Sequence, residues 1–153
     1  MKKQFAFLLH SCLALTVLFS ACKDDPTHEE LLSAHPWQLT LIEVDANCDG
    51  VYETIGSVLP CNDDDLWLFE EDGTFAYDQG AWRCDVSLPQ IITAGTWSLN
   101  SNSTVLILEP LPTIGATIAT MEIEQLDEDT FVGVQYDPNP NVCIKTRATF
   151  KAR

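Results

Sequence analysis

Apolar and polar side chains alternate with a period of two along most of the chain after Pro36. Trp37, Leu39 and Leu41, for example, face away from Gln38 and Thr40 if the backbone is extended. This alternation is typical of half-buried β-strands. It predicts about eight strands, at residues 37–42, 66–69, 74–77, 96–99, 104–108, 117–125, 130–136 and 142–151.

Short polar turns separate most of these segments. Asp72-Gly73 is a strong two-residue hairpin signal, and residues 100–103 and 127–128 occupy similar positions between later pairs. Sequential hairpins predict an antiparallel meander, and eight strands can close into a barrel. Such a barrel holds side chains or one small ligand. A two-sheet β-sandwich is the alternative fold.

One short helix is expected before the first strand, over residues 27–34. Thr27 is a suitable N-cap, Glu30 stands at the capping-box position, and Pro36 prevents continuation. Because the segment 66–69 is apolar on both faces, we expect the helix to cover its outer face through Leu31 and Leu32.

The first residues predict secretion. Lys2 and Lys3 precede an apolar run at 5–19, and residues 1–21 read as a signal peptide. The segment 18–22, Leu-Phe-Ser-Ala-Cys, resembles a bacterial lipobox, which implies cleavage before Cys22 and lipidation of that residue. An ordinary signal with an incidental cysteine is the alternative.

The three residues that follow resemble an export tag. Lys23, Asp24 and Asp25 are similar to the tag that sends Bacteroidota-type lipoproteins to the outer face of the outer membrane. The alternative is a solvated tether with a periplasm-facing anchor. These segments divide the chain into a signal peptide (1–21), a lipidated tether (22–30) and a barrel domain (31–153).

The charge balance narrows the range of partners. Eight Lys and Arg residues stand against 23 Asp and Glu residues, a formal charge of −15. Neither nucleic acid nor an anionic lipid surface would attract such a chain electrostatically. We therefore expect contact with the membrane only through the lipid anchor.

Four cysteines remain in the predicted mature domain, Cys48, Cys61, Cys84 and Cys143. Outside the cytoplasm they are expected to form disulfides, and four cysteines allow three pairings. Their wide spacing argues against a zinc site, and the predicted mature chain has only two histidines, His28 and His35.

Several short motifs in order resemble the small lipocalin-like domain of Bacteroidota lipoproteins. After a lipidated cysteine and a short helix come Trp37, the segment 61–69, the segment 71–75, Cys84, the segment 95–99 and the acidic turn after 123–126. The resemblance covers about residues 31–151 and implies a barrel. It also implies a Cys61–Cys84 disulfide, which leaves Cys48 to pair with Cys143.

Aromatic residues on the predicted strands are the first candidate binding site. Trp67, Phe69, Phe75, Tyr77 and Trp97 would point into the barrel. They would either form its core or line a pocket for a small apolar or aromatic ligand.

The segment 45–53 is the second candidate, because it resembles the start of a calcium loop. Oxygens from Asp45, Asn47, Asp49, the Val51 carbonyl and Glu53 would surround the ion, and Gly50 would take the sharp turn. The twelfth position is Gly56 rather than a bidentate glutamate. An Asx-rich turn held by Cys48, without Ca²⁺, is the alternative.

Candidates for catalysis are few. His28 and His35 lie far from any recognisable nucleophile motif, and Asp63-Asp64-Asp65 is typical of a solvated approach to a strand. We therefore expect a surface lipoprotein that binds a small ligand or a surface protein and is not an enzyme. A structural accessory subunit of an outer-membrane assembly is the alternative, and a hydrolase is less favoured.

Overall fold

The structure is a computed structural model that describes residues 25–54, 60–110, 118–139 and 141–153. The predicted lipidation site Cys22, and Lys23 and Asp24 of the export tag, lie outside these residues. The described elements are helix α1 (His28–Ala34) and strands β1 (Trp37–Asp45), β2 (Glu53–Thr54), β3 (Leu66–Phe69), β4 (Thr74–Asp78), β5 (Ile91–Leu99), β6 (Val105–Pro110), β7 (Ala119–Leu126), β8 (Thr130–Tyr136) and β9 (Lys145–Ala152).

Eight of the strands form a closed antiparallel barrel. The order is β1-β3-β4-β5-β6-β7-β8-β9, and β9 pairs back onto β1. The two-residue strand β2 adds to β1 through Glu43–Thr54 and Val44–Glu53 and is not part of the ring. The predicted closed meander is confirmed, and the sandwich alternative is wrong. Closure leaves no exposed sheet edge among the eight ring strands.

Strands β1, β5 and β9 differ most from their predicted bounds, and β1 continues to Asp45 rather than ending at residue 42. Strand β5 begins at Ile91 rather than residue 96, and its first half pairs with β4 across a bulge at Phe75/Ala76. Gly95 is required there because a Cβ would lie 2.0 Å from the Glu109 carbonyl oxygen. The period-two pattern breaks at this bulge, so the alternation alone missed the first half of β5. Strand β9 begins at Lys145 rather than residue 142.

Helix α1 closes one end of the barrel. Thr27 and Glu30 form the predicted capping box. The helix contacts β3 and β7, which lie on opposite sides of the ring, so it spans the opening. Leu32 is fully buried in the barrel core, and its carbonyl accepts a hydrogen bond from Trp37 Nε1 at 2.9 Å. The expectation that α1 covers the outer face of β3 was therefore wrong.

The two ends of the barrel differ in character. At the end that α1 closes, which we call the turn end, residues 70–73, 100–104 and 127–129 make short connections. The opposite end, the loop end, carries the longer connections from β1 through β2 to β3, from β4 to β5, from β6 to β7 and from β8 to β9. Among the described residues, α1 is too short to cross a lipid bilayer, and no other helix has the required length and apolarity.

Candidate functional site

The predicted aromatic set lies together inside the barrel. Trp67 is central, with ring centroids 5.3 Å from Phe75, 5.2 Å from Tyr77 and 4.8 Å from Phe150. Phe69 contacts both Phe75 and Trp97. Phe69, Phe75 and Trp97 belong to the buried core of the barrel, and Trp67 and Tyr77 pack against it.

Trp67 and Tyr77 keep partial exposure, whereas Phe69, Phe75 and Trp97 are buried. Burial, with a smaller contribution from the Asp65 carboxylate, raises the pKa of Tyr77 to about 12. The Tyr77 hydroxyl therefore stays neutral at any physiological pH.

Both disulfides lie at the loop end. Cys48–Cys143 joins the β1–β2 connection to the β8–β9 connection, and Cys61–Cys84 joins the β2–β3 connection to the β4–β5 connection. This is the pairing that the family resemblance implied. Each bridge links connections that are distant in sequence, so the two together restrain four separate loop segments around the same opening.

The loop 45–53 is an Asx-rich turn. Asp45 is fully buried, and its carboxylate accepts hydrogen bonds from the backbone N–H groups of Asp49 (3.2 Å) and Gly50 (3.0 Å). Asn47 Oδ1 accepts from Asp49, and Asp49 Oδ1 accepts from Val51. Each of the three side chains predicted as calcium ligands at 45, 47 and 49 therefore accepts at least one backbone hydrogen bond, and Asp49 Oδ2 accepts from the Asn47 side-chain amide.

Glu53 is exposed on β2, and the Val51 side chain is also exposed. In the part of the chain that the structure describes, no group of three or more His, Cys, Asp or Glu side chains is placed to hold a metal ion. The hydrogen-bonded turn explains the residue pattern without an ion, and calcium binding stays a prediction.

Exposed apolar side chains gather at the loop end. Within the described residues, eight large hydrophobic side chains are more than a third exposed, and every one lies in a loop-end connection or on a strand residue beside one. They are Val51, Trp82, Val86, Leu88, Ile91, Ile118, Tyr136 and Val142. A concentration of this kind on a folded domain is typical of a binding surface.

Sequence reasoning did not single out the β4–β5 connection, which supplies three of these side chains. Trp82 and Val86 are each 76% exposed, and Leu88 is 44% exposed. A signal was present in the sequence, since a tryptophan and two aliphatic residues stand between Gly80 and Gln90 without the alternation of a strand. Apolar residues outside the strand pattern are not expected to be buried in the barrel core, so they are expected to be exposed.

A groove of about 470 Å³ lies beside Trp82, with Pro60, Asp63 and Asp64 on one wall and Ala81 and Trp82 on the other. Asp64 helps to build this groove, because its Oδ2 accepts hydrogen bonds from the backbone N–H groups of Ala81 (2.6 Å) and Trp82 (3.2 Å). The segment 63–65, predicted to be a solvated approach to a strand, therefore also holds the β4–β5 connection in place through Asp64.

A second groove, of about 260 Å³, crosses the outer wall of the barrel. Arg147 lies in it, 2.8 Å from Glu43 Oε2 and 3.9 Å from Glu124 Oε2, with its guanidinium 4.1 Å from the Tyr52 ring centroid. Arg147 links β9 to Glu43 on β1 and to Glu124 on β7, and its positive charge offsets part of their negative charge. We interpret the cluster as structural.

A third groove, of about 420 Å³, lies at the turn end between α1, the β3–β4 turn and the end of β5. Glu29, Glu30, Glu71, Trp97 and Leu99 are among its lining residues. Trp97 is the one member of the predicted aromatic set that lines any of these three grooves, and its indole N–H donates to the Glu70 carbonyl at 2.9 Å.

A comparison with protein-family profiles gives no match, and a comparison with characterised proteins gives none at a significant level.

Proposed function

We propose that the chain is a lipid-anchored outer-membrane lipoprotein, displayed at the cell surface, whose barrel is a non-catalytic module that binds a partner protein at its loop end. The observation that carries this proposal is the asymmetry of the barrel. The apolar side chains exposed among the described residues lie at the loop end, and helix α1 closes the turn end.

The position of the tether supports this orientation. His28, the first residue of α1, donates a hydrogen bond from Nδ1 to the Ser103 carbonyl in the turn 100–104. The chain therefore enters the barrel at the turn end. Cys22 stands six residues before His28, a span of at most about 20 Å when extended. A lipid on Cys22 would hold the turn end near the membrane and direct the loop end away from it.

A partner protein fits the loop end better than a lipid surface does. The described connections there, 46–52, 60–65, 79–90, 137–139 and 141–144, contain six aspartates and one basic residue, Arg83. Anionic lipid would be repelled by this charge. The apolar side chains can bury area against a protein, and the disulfides limit the ordering cost of the loops on binding.

A small apolar ligand in the barrel is the second candidate, and the partial exposure of Trp67 and Tyr77 favours it. If the partner protein is bound permanently at the loop end, the chain would be a structural accessory subunit of an outer-membrane assembly. Native mass spectrometry of the protein taken from its own membrane separates these outcomes, since it reports a bound small molecule or a bound protein directly.

Photo-crosslinking in intact cells tests the proposed surface. A photoreactive phenylalanine analogue at Leu88 or Val142 should crosslink one partner, identified by mass spectrometry. The same group at Asn102 or Glu128, at the turn end, should not. Replacing Val86 and Leu88 with serine should remove the Val142 crosslink. Equal crosslinking from both ends would contradict a docking surface at the loop end.

Acyl labelling tests the anchor separately. Cys22→Ser should abolish incorporation of a labelled fatty acid, because the acyl-accepting thiol is lost. Unchanged labelling of the variant would show that Cys22 is not the lipidated residue.

A further inference from the structure

The groove beside Trp82 combines an exposed aromatic ring with uncompensated negative charge. Asp63 is exposed at one wall, and the indole of Trp82 stands at the other. Among the described residues, no Lys, Arg or His side chain forms an ion pair with any of the three aspartates at 63–65. Asp64 Oδ1 and Asp65 Oδ1 are enclosed and make no hydrogen bond there.

The two walls are held in place before any partner arrives. The Cys61–Cys84 disulfide joins the segments that supply them, and the Asp64 carboxylate binds the backbone of Ala81 and Trp82. Gly80 permits this approach, because its φ is +59° and a Cβ at that position would lie 2.3 Å from Asp64 Cγ. A fixed groove loses little conformational entropy when it is filled.

We propose that this groove receives an arginine or lysine side chain of the partner protein, an inference that rests on the proposed function above and names the chemistry of its partner. A cation above an indole ring is attracted by the negative face of the ring, and an adjacent carboxylate adds to that attraction. Val86 and Leu88, exposed in the same connection, would contact apolar residues beside the basic one.

Charge favours this occupant over the alternatives. A second copy of the chain would bring another strongly acidic surface to the groove, since the formal charge is −15. An anionic membrane would be repelled in the same way. A basic partner segment with neighbouring apolar residues complements both the negative charge and the exposed apolar side chains of the loop end.

Peptide-observed NMR titration of the full-length protein in detergent tests the proposal. The probe is acetyl-Leu-Arg-Leu-amide, and the matched neutral peptide carries glutamine in place of arginine. We expect the arginine peptide to bind more tightly, and Asp63→Asn and Trp82→Ala each to weaken it about three- to fivefold. Trp82→Phe should retain part of the affinity. Glu128→Gln, which removes the same charge at the turn end, should change nothing.

Equal affinity for the two peptides, or arginine binding that survives both Asp63→Asn and Trp82→Ala, would overturn the proposal. So would concentration-dependent dimerisation in sedimentation that Trp82→Ala abolishes, because the groove would then be filled by a second copy. Crosslinking from Leu88 to a partner, combined with equal binding of both peptides, would retain the docking surface and reject the cationic occupant.

Discussion

A single buried carboxylate organises the connection that follows β1. Asp45 has no solvent exposure, and its two oxygens accept backbone hydrogen bonds from Asn47, Asp49 and Gly50. Hydrogen bonds to an ionised acceptor are stronger than neutral ones, and a lost acceptor leaves buried donors unpaired. The side chain therefore contributes to stability without any ligand.

We expect Asp45→Ala to lower the free energy of unfolding by about 3 kcal/mol, because three backbone donors lose their acceptor. Asp45→Asn should cost less, since its amide keeps one accepting oxygen. Urea denaturation gives both values. The exposed Glu128→Ala serves as the control, and a loss for Asp45→Ala no larger than that of the control would contradict this role.

Calcium binding at the same loop is tested by thermal unfolding with and without about 5 mM Ca²⁺. At ten times its dissociation constant, a bound ion would add about 1.4 kcal/mol to stability. If the loop binds calcium, Ca²⁺ should raise the melting temperature of the wild type but not that of Asp49→Ala. An unchanged melting temperature in the wild type would leave the loop as an Asx-rich turn only.

Tyr77 makes the stability of the barrel sensitive to high pH. Its pKa is raised to about 12, chiefly by burial, from an unfolded value of 10.0. The folded state therefore holds this proton more tightly than the unfolded state does. The associated stability, about 2 to 3 kcal/mol, is present below pH 10 and is lost as the pH rises towards 12.

We expect Tyr77→Phe to flatten the dependence of unfolding free energy on pH between 10 and 12, measured by urea titration. Tyr136 supplies the comparison, because it is exposed and its pKa is raised chiefly by its hydrogen bond to Glu122. Tyr136→Phe should leave most of the slope in place. An equal effect from the two variants would reject Tyr77 as the main contributor.

At the scale of the elements, local signals predicted most of the barrel. Asp72-Gly73 specifies the β3–β4 turn, where Gly73 takes a φ of +84° and Asp72 Oδ1 accepts from the Thr74 N–H. Hydrogen bonding to Thr74 also lowers the pKa of Asp72. Such features depend on neighbours within a few residues, so the sequence alone displays them.

Several features that depend on distant residues were missed. The first half of β5 pairs with β4 across a bulge, and Trp82 is positioned by Asp64, which is 18 residues away. Helix α1 closes the barrel only because β3 and β7 meet it from opposite sides. The alternation of apolar and polar residues does not reveal the candidate docking groove, because its walls, residues 60–64 and 81–82, come from two connections that are far apart in the sequence.

The two disulfides should contribute unequally to stability. They close segments of 95 residues for Cys48–Cys143 and 23 residues for Cys61–Cys84. In the chain-entropy description, these loops correspond to about 4.7 and about 3.4 kcal/mol. We expect Cys48→Ala/Cys143→Ala to be the more destabilised of the two double variants in urea denaturation.

Removal of Cys61–Cys84 should lower stability less than removal of Cys48–Cys143, but it should weaken partner binding more. Cys61–Cys84 joins the walls of the Trp82 groove, whereas Cys48–Cys143 lies between other connections. Crosslinking from Leu88 should therefore weaken more in Cys61→Ala/Cys84→Ala than in the other double variant. The reverse order would show that the groove does not need its bridge.

At the scale of the whole molecule, the proposed attachment point and the proposed docking surface lie at opposite ends of the barrel. The tether enters at the turn end beside Ser103, and the exposed apolar side chains lie at the opposite end. The nine residues of β1 span about 30 Å when extended, or about 20 Å along the axis after the strand tilt of a barrel. A lipid-anchored molecule would hold its docking surface at least that far above the bilayer.

This orientation is measurable in vesicles that contain the lipidated protein and headgroup-labelled acceptor lipid. A donor fluorophore attached at Asn102→Cys, in the turn 100–104, should transfer energy more efficiently than one at Ser87→Cys, in the β4–β5 connection. A lipid on Cys22 would hold residue 102 close to the bilayer, and the height of the barrel would separate residue 87 from it. Higher transfer from residue 87 would mean that the loop end faces the bilayer, and its apolar side chains would then meet lipid rather than a partner protein.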